Sequence, residues 1–150
     1  MTTLKERLQH DMKSAMRAKE KTRLTTIRMA LAAIKQREVD ERTVLDDAQI
    51  LTVVEKMIKQ RREALEQYRN AGRDELAEGE EAEIDVLQAY MPEPLGDDEL
   101  NTLIAEAIAA ANASTPKDMG KVMAIVKPRV QGRADMGKVS QRIKNQLTGA

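Results

Sequence analysis

Two lysines, Lys121 and Lys138, hold the same place in a pentapeptide that the chain writes twice: Asp118-Met119-Gly120-Lys121-Val122 and Asp135-Met136-Gly137-Lys138-Val139. In each copy a glycine precedes the lysine, so a polyanion could come close to the backbone with a cation beside it. The copies begin seventeen residues apart. That is about one short helix plus a tight turn, which predicts two helix starts built alike, each offering unpaired N–H groups. Between them runs a basic segment, Lys127-Pro128-Arg129-Val130-Gln131-Gly132-Arg133. One helical turn separates Lys117 from Lys121 and Lys138 from Arg142, giving the two helices matching cationic pairs. The chemistry these residues point to is phosphate binding, with Asp118 and Asp135 partly neutralising the helix dipoles. One alternative stays open: Gly120 and Gly137 serve only to let two helices cross closely, and the lysines only solubilise.

Catalytic chemistry has little to draw on. His10 is the only histidine, sits in a polar stretch beside Asp11, and has no second ligand type near it in sequence; a solvated histidine is expected. Cysteine is absent, which excludes disulfides, thiolate metal sites and thiol nucleophiles. Ser114 and Ser140 lack a base at a suggestive spacing. Neither a Walker phosphate loop nor a dinucleotide fingerprint occurs. The run Glu78-Gly79-Glu80-Glu81-Ala82-Glu83 places Glu80 and Glu83 on one helical face, but it has no oxygen-ligand loop and reads as a solvated face. No cofactor and no metal are expected.

The elements that must position the lysines are helical. There is no phenylalanine or tryptophan, and Tyr68 and Tyr90 are the only aromatics, so the core falls to Leu, Ile, Val, Ala and nine Met. No alternating runs of strand formers occur, and the expected class is all-α. Thr3-Leu4-Lys5-Glu6 has the form of a capping box for a first helix through about Ala18, faced by Leu4, Leu8, Met12 and Ala15. A second helix carries Leu24, Ile27, Leu31 and Ile34 on one side and Arg23, Arg28, Lys35 and Arg37 on its polar flank. Asp46 and Gln49 predict the start of a third, whose stripe is Ile50, Val54, Met57, Arg61, Leu65 and Tyr68, with Gly72 as the stop. A fourth is expected from an Asp74 cap, burying Leu76, Ile84, Leu87 and Met91, with Gly79 weakening its middle.

Met91-Pro92-Glu93-Pro94-Leu95-Gly96 cannot be helix interior, because its two prolines delete donors. The expected organisation is an N-terminal four-helix domain over residues 1–91, a Pro-rich joint over 92–96, and a three-helix domain over 97–150. In the last, one helix starts at Gly96 or Asp97 and uses Leu100, Leu103, Ile104 and Ile108. Thr115-Pro116 caps the next, faced by Met119, Val122, Val126 and Val130. Asp135 caps a final one, faced by Met136, Val139, Ile143 and Leu147. This smaller domain has a thin core and should be the less stable half.

Net charge is zero but segregated: residues 1–73 carry +6, residues 74–116 carry −12 with no basic group, and residues 117–150 carry +6. Such asymmetry speaks to partners, or to blocks that attract one another within the chain. Both aromatics lie outside the basic terminal segment, so stacking of unpaired bases there is excluded. Nucleic-acid binding would be led by shape and backbone, suited to a folded RNA or a duplex. No apolar run approaches the ~20 residues that span a bilayer, and the start of the chain reads as helix rather than signal peptide. A cytoplasmic location without a membrane partner is expected.

These residues resemble the GatB/YqeY family. The resemblance rests on Asp118 to Met123, Lys127 to Asp135, Leu4-Lys5-Glu6-Arg7-Leu8 with Asp11-Met12-Lys13, Arg23-Leu24 with Ile27-Arg28, and Tyr90-Met91-Pro92. It covers essentially the whole chain, in the stand-alone YqeY-like form. It implies a helical N-terminal domain followed by a tail domain. That tail is similar to the one of the B subunit of tRNA-dependent Glu-tRNA(Gln)/Asp-tRNA(Asn) amidotransferase, where it grips tRNA while the chemistry occurs elsewhere. The implied contacts are Lys121, Lys138, Lys127, Arg129 and Arg133; Lys117, Arg142, Gly120 and Gly137 come from the repeat itself. The implied partners are tRNA or another folded RNA, and an amidotransferase or aminoacyl-tRNA-related protein. The family label carries glutamine-dependent carbon–nitrogen ligase activity, which would need partner subunits, since no catalytic residues are expected here. Beside the reading as a non-catalytic tRNA-binding accessory protein stands a helical protein–protein adaptor whose acidic 74–116 block engages a basic partner.

Overall fold

The computed structural model describes residues 2–149, and among them every regular element is helical. The order is α1 (Leu4–Arg17), α2 (Lys21–Glu41), α3 (Asp47–Asn70), α4 (Asp74–Gln88), α5 (Asp97–Ala111), a 3-10 turn (Pro116–Asp118), α6 (Met119–Val130) and α7 (Met136–Thr148). The chain divides into two compact units, Met1–Met91 and Pro92–Ala150, each with its own apolar core.

In the first unit the helix boundaries follow local chemistry. Thr3 and Glu6 form the capping box of α1, and Asp46 and Gln49 form that of α3. Gly72, at φ +71°, takes the left-handed turn after α3. The core gathers Leu8 from α1, Ile27 and Ile34 from α2, Ile50 and Val54 from α3, and Leu87 from α4. Two expectations for α4 need correction. Arg73, not Asp74, stands at the N-cap, and Asp74 is the first helical residue. Leu76 faces outward at 46% exposure, and Ala77 takes the inward place at 3%. Met91 lies beyond the helix and is only partly buried. Gly79 is inside α4, and a Cβ there would meet nothing within 4 Å. Packing therefore does not require this glycine, which costs about 1 kcal/mol relative to alanine in a helix interior.

Polar links set how these helices meet. Arg61 lies on the apolar stripe of α3 at 8% exposure and is satisfied there. Its Nε is 3.1 Å from the Glu83 carboxylate of α4, and its Nη1 donates to the Met57 carbonyl at 3.3 Å. The Lys5 ammonium donates to Glu38 at 2.7 Å, and Glu38 also accepts the Leu45 N–H at 2.9 Å. Those two bonds hold its carboxyl below the usual range. The Leu4 N–H at the head of α1 donates to Asp47 at the head of α3, 3.0 Å away. Arg37, expected on the polar flank of α2, is instead engaged by Glu41, the Gln49 carbonyl and Thr52.

Tyr90 closes this unit. It is 5% exposed, its hydroxyl donates to Asp11, and the Arg7 guanidinium lies 4.7 Å above its ring. Burial, then the bond to Asp11, pushes the phenol up from its ordinary range, so it remains a donor at any physiological pH.

In the second unit Leu100 and Ile104 of α5, Val122, Val126 and Val130 of α6, and Val139 and Ile143 of α7 form the core. Asn112 ends α5 in the left-handed region at φ 52°, and Gly132 turns the chain toward α7 at φ 75°. Leu95 packs on this core, and its N–H donates to the Arg133 carbonyl at 2.8 Å.

Tyr90→Phe should cost the first unit about 2 kcal/mol, the range for a hydrogen bond to a charged group. Urea unfolding followed by the fluorescence of Tyr68, which lies in the same unit, measures it; a change within error would mean that Asp11 does not hold the ring.

Candidate nucleic-acid interface

The seven cations singled out in the terminal segment fall into two groups. The first belongs to the outer face of α6. Opposite the buried Val122, Val126 and Val130, the helix presents Lys121, Ala124 and Pro128 at intervals of three or four residues, flanked by Gly120 and Lys127, and the 3-10 turn before it adds Lys117. All six are exposed. Among the described residues Lys117 and Lys127 have no ion-pair partner. Lys121 is 73% exposed and only 4.0 Å from Asp118. Small side chains between the lysines leave the helix backbone approachable, and a Cβ on Gly120 would meet nothing within 4 Å.

The second group is engaged inside the unit. Lys138 and Arg142, one turn apart on α7, both bind Asp97 in the first turn of α5, at 3.0 and 2.8 Å. Arg142 also donates to the Asn101 side chain at 2.8 Å, and its own side chain is 22% exposed. Arg129 lies 3.5 Å from Glu106; both are more than half exposed, so the pair is weak and readily exchanged. Arg133 donates through Nε to the Glu93 carbonyl at 3.0 Å, while its own carbonyl accepts from Leu95. It staples the proline-rich segment to the turn before α7.

The doubled pentapeptide does begin both helices in the same register, yet the two starts are not built alike. Asp135 caps α7, accepting the Lys138 N–H at 3.1 Å. Asp118 ends the 3-10 turn instead, and its carboxylate accepts the Ser114 and Thr115 N–H groups at 3.0 and 3.3 Å. The Asp118 N–H donates to the Thr115 carbonyl at 2.9 Å, and the Met119 N–H donates to Pro116. The Met119 donor at the start of α6 is thus spent in the turn that feeds it, and Thr115-Pro116 opens that turn rather than α6 itself. The cause is Pro116, which favours a tight first turn ahead of the helix. The helix-crossing explanation of the glycines also fails within this chain. Gly120 faces open space, and a Cβ on Gly137 would meet only its own capping carboxylate, Asp135, at 3.3 Å.

Sequence reasoning missed Asp97 as the partner of Lys138 and Arg142; the signal available was an uncompensated acidic block beside a basic one. The carboxyls of Asp97 and Asp118 both lie below the usual range. For Asp97 the cause is the Lys138 hydrogen bond and then the Arg142 charge; for Asp118 it is the two backbone N–H donors. His10 is exposed. No group of three or more His, Cys, Asp or Glu side chains among the described residues is arranged to hold a metal ion. No helix among them is long and apolar enough to cross a membrane.

Residues 5–147 match the profile of the family described as Yqey-like protein. The chain is also similar to proteins named "Altered inheritance of mitochondria protein 41, mitochondrial". That of Pyrenophora tritici-repentis is 35% identical over 147 residues, which is 96% of this chain and 80% of that protein. That of Eremothecium gossypii is 42% identical over 85 residues, 56% of this chain and 46% of that protein. That of Lachancea thermotolerans is 32% identical over 112 residues, 73% of this chain and 60% of that protein. The latter two matches span less than two thirds of those proteins' length.

A carboxyl with a depressed native pKa adds stability above its unfolded value of about 3.9 and loses it as pH falls through the lower native value. The second unit should therefore weaken as pH drops below about 4, and Asp97→Asn should flatten part of that decline. Urea titrations at pH 6 and pH 3.5, read at the amide signals of Val122 and Val139, test it. Equal acid sensitivity in both proteins would remove the Asp97 cluster as a contributor.

Proposed function

The chain belongs to the YqeY-like family, and from that premise we propose a non-catalytic accessory protein that binds tRNA or another folded RNA through the outer face of α6. The observation that carries this reading is the pairing pattern of its cations. Lys117 in the turn before α6 and Lys121 and Lys127 on α6 are exposed, beside small residues that let a phosphate chain come near. Lys117 and Lys127 have no ion-pair partner among the described residues, and Lys121 has only Asp118 at 4.0 Å. Arg129 joins them once its exposed partner Glu106 is displaced. Lys138 and Arg142 contribute less than the repeat implied, because Asp97 already holds them.

In this proposal residues 97–150 act as the gripping tail, 92–96 as the joint, and 1–91 as the part that meets an amidotransferase or aminoacyl-tRNA-related protein. Without aromatics in the second unit, affinity comes from charge and shape, so sequence preference is weak. Glutamine-dependent ligase chemistry would belong to partner subunits. Of compartment, the names of the relatives say mitochondrial for those proteins; the proposal for this chain keeps the cytoplasm.

Filter binding to unfractionated tRNA tests the reading. Engagement of ~4 cations gives log affinity against log salt a slope of roughly −3 to −4. Lys117→Glu, Lys121→Glu and Lys127→Glu together should weaken binding at least tenfold at unchanged thermal midpoint, whereas Asp97→Asn, by releasing Lys138 and Arg142, should strengthen it. A flat salt response, or no effect of the triple change, overturns the proposal.

A further inference from the structure

A cavity of about 380 Å3 belongs wholly to the first unit, between the start of α2, the end of α3 and the first half of α4. Tyr68, Glu75, Leu76, Gly79 and Glu80 stand in its wall. Three features stand out in and beside that wall. Gly79 interrupts α4 where an alanine would have room; what the glycine keeps open is the cavity. Leu76 is 46% exposed, and Met29 of α2, whose sulfur lies 3.6 Å from Arg61, is 44% exposed. Thr22 and Thr25 in the wall and Met29 fall on one face of α2, three and four residues apart.

The third feature is charge. Glu75 and Glu80 have no hydrogen-bond or ion-pair partner among the described residues. The nearby cation Arg61 is committed to Glu83 at 3.1 Å. Lys21, the one cation in the lining, makes no ion pair there. Partial burial, then repulsion from Glu83, pushes the Glu80 carboxyl above its ordinary range, with Arg61 opposing only in part. The helix that carries these acids has seven carboxylates and no basic residue, so an RNA backbone is repelled and a cation attracted.

A void with an apolar rim, an aromatic ring and two unmatched carboxylates fits a long cationic side chain. Arginine fits better than lysine: its planar guanidinium spans two carboxylates, stacks on a ring, and loses less hydration. We propose that this cavity is a docking site for a protein partner. It takes one arginine from an amphipathic helix whose neighbouring apolar side chain rests on Leu76 and Met29. This inference is independent of the RNA-binding reading and concerns a different unit.

The experiment uses the full chain, 15N-labelled, titrated with a capped 14-residue peptide of alanine, leucine and glutamine carrying a single central arginine. Saturable shifts should appear at residues 21–29, at Tyr68 and over 75–83. Replacing the peptide arginine by glutamine should weaken binding at least tenfold. Gly79→Ala in the protein should do the same while raising the thermal midpoint, so lost binding cannot be lost folding. Glu80→Gln should weaken it severalfold. No saturable shift at millimolar peptide overturns the proposal. So does unchanged affinity in Gly79→Ala, or equal binding of acetyl-arginine amide, which would make the cavity a small-cation site.

Discussion

Carboxylates that reach from one helix to another are the constraint on which this structure depends. Leu, Ile, Val and Ala attract one another without preferred direction, and a core without phenylalanine or tryptophan tolerates sliding along its helices. Direction comes from acids at fixed places: Asp47 on the head of α1, Glu38 on Lys5 and the α2–α3 loop, Asp11 on Tyr90, and Glu83 on the buried Arg61. In the second unit Asp118 ties the α5–α6 connection, and Asp97 ties α5 to α7. Several of these acids satisfy two donors at once. Losing one would therefore leave two groups to find new partners, which is why a removed partner costs more than the bond itself contributes.

The same device divides the surface by charge. Each cation that an internal acid holds is withdrawn from external work, and each that lacks one is available. Charge segregation along the chain, +6, −12 and +6, therefore does not translate directly into surface patches. Part of the acidic block is consumed by Arg61, Arg69, Arg129, Lys138 and Arg142. What is left over on α6 is cationic, and what is left over on α4 is anionic. These two remainders are opposite in sign, so the proposed RNA-binding tail and protein-binding body are compatible roles for one short chain.

Much of the fold was legible in the residues because the signals were local. A capping box names its own two residues, as Thr3 with Glu6 and Asp46 with Gln49 do. Helical spacing placed Arg61 on an apolar stripe, and it is buried there. Two local readings failed by one residue or one turn. The cap of α4 falls on Arg73 rather than Asp74, and Ala77 rather than Leu76 is buried in the core. Pro116 inserted a 3-10 turn that made two identical pentapeptides start their helices differently.

For the candidate interface the sequence by itself determined which cations exist, their spacing on each helix, and the absence of any stacking aromatic in the second unit. Those are properties of composition and of a 3.6-residue period. Only the tertiary structure decided which of them are available. Asp97 precedes Lys138 by 41 positions, and nothing in either neighbourhood announces that the first turn of α5 will lie against α7. Ion pairing falls off over a few ångströms, while sequence distance says little about space. So the charge of each residue is written in the chain, but its partner is settled by packing.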